Sequence, residues 1–167
     1  MKYLTEIECY DWCKNHNINI DSDRKPVIKI EGLDIIGFTY PIYTQFVYLS
    51  SILSTNALKD EECLLWITQT SIWKSSENFH LYYKLRESYS DSTKIEDKPG
   101  HLFSLHESDD LKSFLYLNLL FGWDCYLLSA KDSIKAFCSH DEWIELLTTD
   151  TLLIQILNER FIKGKES

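Results

Sequence analysis

The chain has 167 residues, 44% hydrophobic and 26% charged, with a formal net charge of −9 and a pI near 5.0. That length suits one domain with a core of its own, and the balance excludes disordered, collagen-like and coiled-coil classes. The acidity argues against a surface for nucleic-acid phosphate, so no direct nucleic-acid binding is expected.

Thr5 followed by Glu8 forms a capping box and predicts a first helix from about Thr5 to His16. A polar, turn-rich stretch follows, closed by Pro26. Val27–Ile30 and Leu33–Thr39 read as two strands joined at Glu31–Gly32 as a hairpin. Pro41 suits a helix start, and Ile42, Phe46, Leu49, Ile52 and Leu53 follow helical spacing to about Asn56. CLLWIT, Cys63 to Thr68, reads as a strand covered on both faces. With Ser75 or Ser76 as cap, a helix is predicted from about Glu77 to Tyr89.

Residues 90–101 read as loop. Ser108-Asp109-Asp110 predicts the next helix start, through Leu111, Phe114, Leu115 and Leu119 to a stop at Gly122. Asp124–Ser129 and Ser133–Cys138 read as a second hairpin across Ala130-Lys131-Asp132. His140–Leu147 and Thr149–Ile162 read as one broken helix or two short ones. The order predicts a single α+β domain over 1–167, with a mixed or antiparallel sheet of about five strands and helices packed on it.

The acidic N-terminal stretch lacks the apolar run of a signal peptide. The longest apolar run, Phe114 to Trp123, is about half of a membrane span. A cytoplasmic protein without membrane contact is expected. Five cysteines, an odd number, argue against a disulfide framework.

Cys9, Cys13 and His16 share one helical stripe, away from Leu4 and Ile7, and could supply three zinc ligands. No partner pair at ligand spacing accompanies them, so two semi-buried thiols and a surface histidine are expected, with no metal and no cofactor. Ser139-His140-Asp141 contains triad letters, but consecutive side chains diverge, and Ser139 or Asp141 is better read as a helix cap. A Cys–His enzyme remains as an alternative, using Cys138 or Cys125, neighbours across the second hairpin, with His140. His101, His106, Glu107 and Asp109 match no ligand spacing and read as a solvated loop. In NFHLYYKLRESY the aromatics read as core.

The acid distribution is the most informative feature. Between Glu107 and Asp150 stand nine acids against three bases, a local −6 within the chain's −9. Trp123, Tyr126 and Trp143 lie among them. Acids mixed with large rings attract a basic partner and then anchor it.

The stretch LLFGWDCYLLSAKDSIKAFCSHDEWIEL, with GWD before one strand and SHDE after the next, resembles the tail of small bacterial immunity proteins. That resemblance implies a toxin-neutralising inhibitor and a cognate protein toxin as partner, and it carries no functional residues with it. The residues expected to bind the partner, chosen from the acids and rings themselves, are Asp109, Asp110, Asp124, Asp141, Glu142, Trp143 and Glu145. The expected function is binding a basic, nuclease-like toxin through an acidic, aromatic-rich surface, without catalysis.

Overall fold

The computed structural model describes residues 1–29, 33–59, 61–74, 77–131 and 133–162. Strand β1 (Lys2–Leu4) leads into helix α1 (Glu6–Asn15), whose capping box forms as the sequence predicts. The strand expected at Val27–Ile30 does not form over residues 27–29; its remainder and the Glu31–Gly32 turn lie outside the described residues. The first predicted hairpin is replaced by β2 (Ile36–Thr39), which pairs with a strand late in the chain. A short 3₁₀ turn at Tyr43–Gln45 precedes α2 (Phe46–Ala57). Then come β3 (Cys63–Gln69), α3 (Phe79–Ser88), β4 (Gly100–Phe103) and α4 (Ser108–Phe121). Asn78 caps α3 through its side chain; Ser75 and Ser76 lie outside the described residues. Strands β5 (Asp124–Ser129) and β6 (Lys135–Cys138) form the predicted second hairpin, though Asp132 is likewise not described.

The helix expected at His140–Leu147 is instead strand β7 (Trp143–Leu147), followed by α5 (Thr151–Leu157) and a wider π-type turn at Asn158–Ile162. Ile144 and Leu146 point into the core while Trp143 and Glu145 are half-buried. That period of two, between the waiting edges of β6 and β2, overrides local helical preference. Asp150 caps α5, accepting from the Leu152 and Leu153 backbone N–H groups.

The fold is α+β, with one fully antiparallel sheet of seven strands among the described residues rather than about five. The order is β1-β4-β3-β5-β6-β7-β2. On one face, α2 and α4 pack with Tyr82 of α3 and Leu153 and Leu157 of α5 against Leu65, Leu127, Ile144 and Leu146. On the other, Cys9, Trp12 and Cys13 of α1 join Ile18 and Ile28 over Leu64, Trp66, Tyr126 and Leu128. Strands buried on both faces explain the unbroken apolar runs of β3 and β5. At Gly100 a Cβ would stand 2.3 Å from the Cys9 sulfur, so α1 can lie this close to β4 only over a glycine. No helix among the described residues is long and apolar enough to cross a membrane.

Candidate functional site

The β6–β7 turn is locked from several directions. Ser139 N–H donates to the Trp143 carbonyl at 2.9 Å and Glu142 N–H to that of Ser139 at 3.1 Å. Glu142 sits at φ 62°, a left-handed conformation uncommon for residues with side chains. Beneath the turn lies Asp124, whose Oδ1 accepts from the His140 backbone N–H at 2.6 Å and from His140 Nδ1 at 2.8 Å. Nε2 of the same ring faces Asp141 at 3.5 Å. The Trp73 indole donates to the His140 carbonyl at 3.3 Å, and its edge covers Gly122, where a Cβ would meet Trp73 at 3.2 Å. Tyr40 N–H donates to the Glu142 carbonyl at 2.7 Å. Fixed backbone thus carries Asp141 and Glu142, both exposed.

Beside this turn the surface is apolar. Ile42 is 69% exposed, Tyr43 65% and Trp73 52%, with Val47 and Tyr48 also exposed. A concentration of large exposed apolar groups marks an interaction site more readily than scattered ones do. Two depressions open here. One of about 260 Å³ is lined by Tyr40, Tyr43, Trp73, the end of α4, His140 and Glu142. The other, about 550 Å³, shares Tyr40, Tyr43 and Glu142 and adds Ile42, Arg160 and Phe161. Arg160 stacks over the Tyr48 ring at 4.4 Å.

The expected binding residues divide. Asp141 and Glu142 share the exposed turn. Asp124, at the start of β5, lies under the same turn but is 4% exposed and holds His140 twice through Oδ1, so it positions rather than contacts. Trp143 and Glu145 lie on the α1-side face of the sheet, where the Trp143 ring meets Phe137 at 5.3 Å and Phe137 meets Tyr126 at 4.7 Å. Tyr126 is pushed up to about 12, first by burial and then by the charges of Asp21, Asp124 and Glu145. Asp109 and Asp110 stand at the N-terminal end of the 14-residue helix α4, about 20 Å along its axis from the turn. Asp110 accepts from the Tyr89 hydroxyl and Asp109 pairs with Lys112 at 3.2 Å. The residues expected to form an acidic, aromatic-rich surface are therefore spread over two regions and a separate pair, and Trp123 is wholly buried.

Cys125 and Cys138 are directly opposed across β5 and β6, as expected, but both are fully buried. The hydrogen bond to Cys138 and burial push the Cys125 thiol well up, the reverse of an activated nucleophile. β6 ends at Cys138, and His140 turns to Asp124 instead of continuing the strand. Ser139 and Asp141 cap no helix: Asp141 N–H donates to Ser139 Oγ at 3.2 Å within the turn.

Cys9 and Cys13 are fully buried core, where semi-buried thiols off the core were expected; Ile7 is the exposed residue, because α1 meets the sheet through its cysteine stripe. His16 Nε2 pairs with Glu62 at 3.3 Å. No group of three metal-ligating residues forms among the described residues. His101 is not in a solvated loop but wholly buried in β4. The Tyr82 hydroxyl lies 2.6 Å from its Nε2, and burial, then the Arg86 charge, lower it to about 3.

The sequence reading missed Tyr43 and Trp73, and it assigned Ile42 to a helix core face. The helical spacing that includes Ile42 is real only from Phe46 onward, where α2 begins. No family model matches this chain, and neither a curated protein nor a solved structure does.

Proposed function

We propose that this chain is a protein-binding module of the immunity type, an inhibitor that docks a cationic protein toxin. The observation supporting this reading is the pairing of a rigid turn bearing exposed Asp141 and Glu142 with the exposed rings of Tyr43 and Trp73. The net charge of −9 draws a basic partner in from a distance. Aromatic groups on fixed backbone then supply anchors that lose little freedom on binding. The alternative, a Cys–His enzyme, has less in its favour, since neither Cys125 nor Cys138 reaches solvent.

The test is co-expression with the product of the adjacent gene in a cell whose growth that product arrests. Growth should be rescued by the native chain and lost with the D141N/E142Q/Y43A variant. Rescue that survives that variant, or no rescue by the native chain, would overturn the reading.

A further inference from the structure

The smaller depression joins four features that each favour a cation. Tyr40, Tyr43 and Trp73 line it, and ring faces attract guanidinium and ammonium groups. Glu142 lines it too, and its carboxylate has no ion-pair partner among the described residues. The last turn of α4 forms one wall through Leu119, Leu120 and Phe121; it carries no basic residue, so the negative end of the helix dipole is uncompensated. His140 is flanked by the carboxylates of Asp124 at 2.8 Å and Asp141 at 3.5 Å, which adds acidic groups beside the depression. The molecule already holds one arginine this way: Arg86 lies over the Tyr3 ring at 4.3 Å and pairs with Asp91 at 3.2 Å.

We infer that this depression is an arginine-reading pocket that receives a guanidinium side chain projecting from the docked protein. The inference rests on the docking reading for its biological occupant, but not for its chemistry. A planar guanidinium can stack on Tyr43 or Trp73 while its N–H fork reaches the Glu142 carboxylate. Lys74 follows Trp73 in sequence and does not line the pocket.

The probe is N-acetyl-arginine methylamide, with the citrulline analogue as its uncharged isostere, titrated into the full chain by NMR. The arginine compound should shift the Trp73 indole signal saturably, and citrulline should bind roughly tenfold more weakly for want of the cation. Glu142→Gln and Tyr43→Ala should each weaken arginine binding several-fold; Tyr43 is exposed enough that its loss leaves folding intact, checked by circular dichroism. Equal binding of the two compounds, or shifts centred elsewhere, would overturn the pocket. Toxin rescue by a chain that ignores the probe overturns the pocket alone; probe binding without rescue supports the pocket and overturns the inhibitor reading.

Discussion

On the β1–β4 side of the sheet, Arg86 is wholly buried between Tyr3 and Tyr82 and paired with Asp91. On the β6–β7 side, Tyr40, Tyr43 and Trp73 stand around Glu142, and no cation among the described residues pairs with it. The residue types are nearly the same. In the first region charge and rings are packed inside the fold: Arg86 also donates to Thr93 Oγ1 at 2.9 Å and to the Lys98 carbonyl at 3.3 Å, while its Nε and the Tyr3 hydroxyl are buried without a hydrogen-bond partner among the described residues. In the second, the backbone is equally fixed but Tyr43, Trp73 and Glu142 are exposed. A buried charge network serves the fold, whereas acids and rings held at the surface are available to a partner.

The largest expected effect lies in the closed region. Arg86→Met removes the buried partner of Asp91, which keeps Lys98 at 3.7 Å and the Thr93 bonds, and should cost about 3 kcal/mol in urea unfolding. A loss under about 1 kcal/mol would mean the network does not serve the fold. His101 gives that region its own pH signature. Its folded value of about 3 lies below the ordinary 6.5, so the unfolded chain binds the extra proton first. Stability present above pH 6.5 is therefore lost as pH falls toward 3, by up to about 1.4 kcal/mol per pH unit. His101→Gln should flatten that slope by one proton, read as the difference between the two chains' unfolding curves.

In the open region the same measurements should give smaller numbers. Asp124→Ala removes the acceptor of both His140 bonds and should cost about 1–3 kcal/mol, with a shift in Trp73 fluorescence as the turn loosens. Gly122→Ala, at φ +61° and against the Trp73 ring, should cost about 1–2 kcal/mol and displace that ring. Glu142→Gln should change stability by less than about 0.5 kcal/mol while weakening the arginine probe. A large stability loss there would place Glu142 among structural groups and erase the contrast.

Sequence alone exposed those parts of this architecture that local chemistry decides. The Thr5–Glu8 capping box, the doubly covered run of β3, the β5–β6 hairpin and the left-handed stop at Gly122 are all stated by short stretches of chain. β4 and β7 are not. The first is four residues in a polar segment, and the second carries an acid-rich, Ile-Leu pattern that suits a helix equally well. Both become strands because long-range neighbours pair with them. The site divided likewise: its acids were legible as charge, but which of them share a surface depends on the turn at Ser139–Glu142 and on the direction of α4. Tyr43 and Trp73 gave no signal, since nothing local separates a ring facing solvent from one facing the core.

The strand order also shapes how the polypeptide matures. β1 is ladder-bonded to residues 100–102 and β2 to residues 143–146. During synthesis both edge strands leave the ribosome long before their partners exist, and loops of about a hundred residues must close to seat them. The nascent chain therefore cannot finish its sheet until Trp143–Leu147 has been made. A product cut short ahead of Trp143 would carry two unmated β edges, the kind of surface that draws chaperones or aggregates.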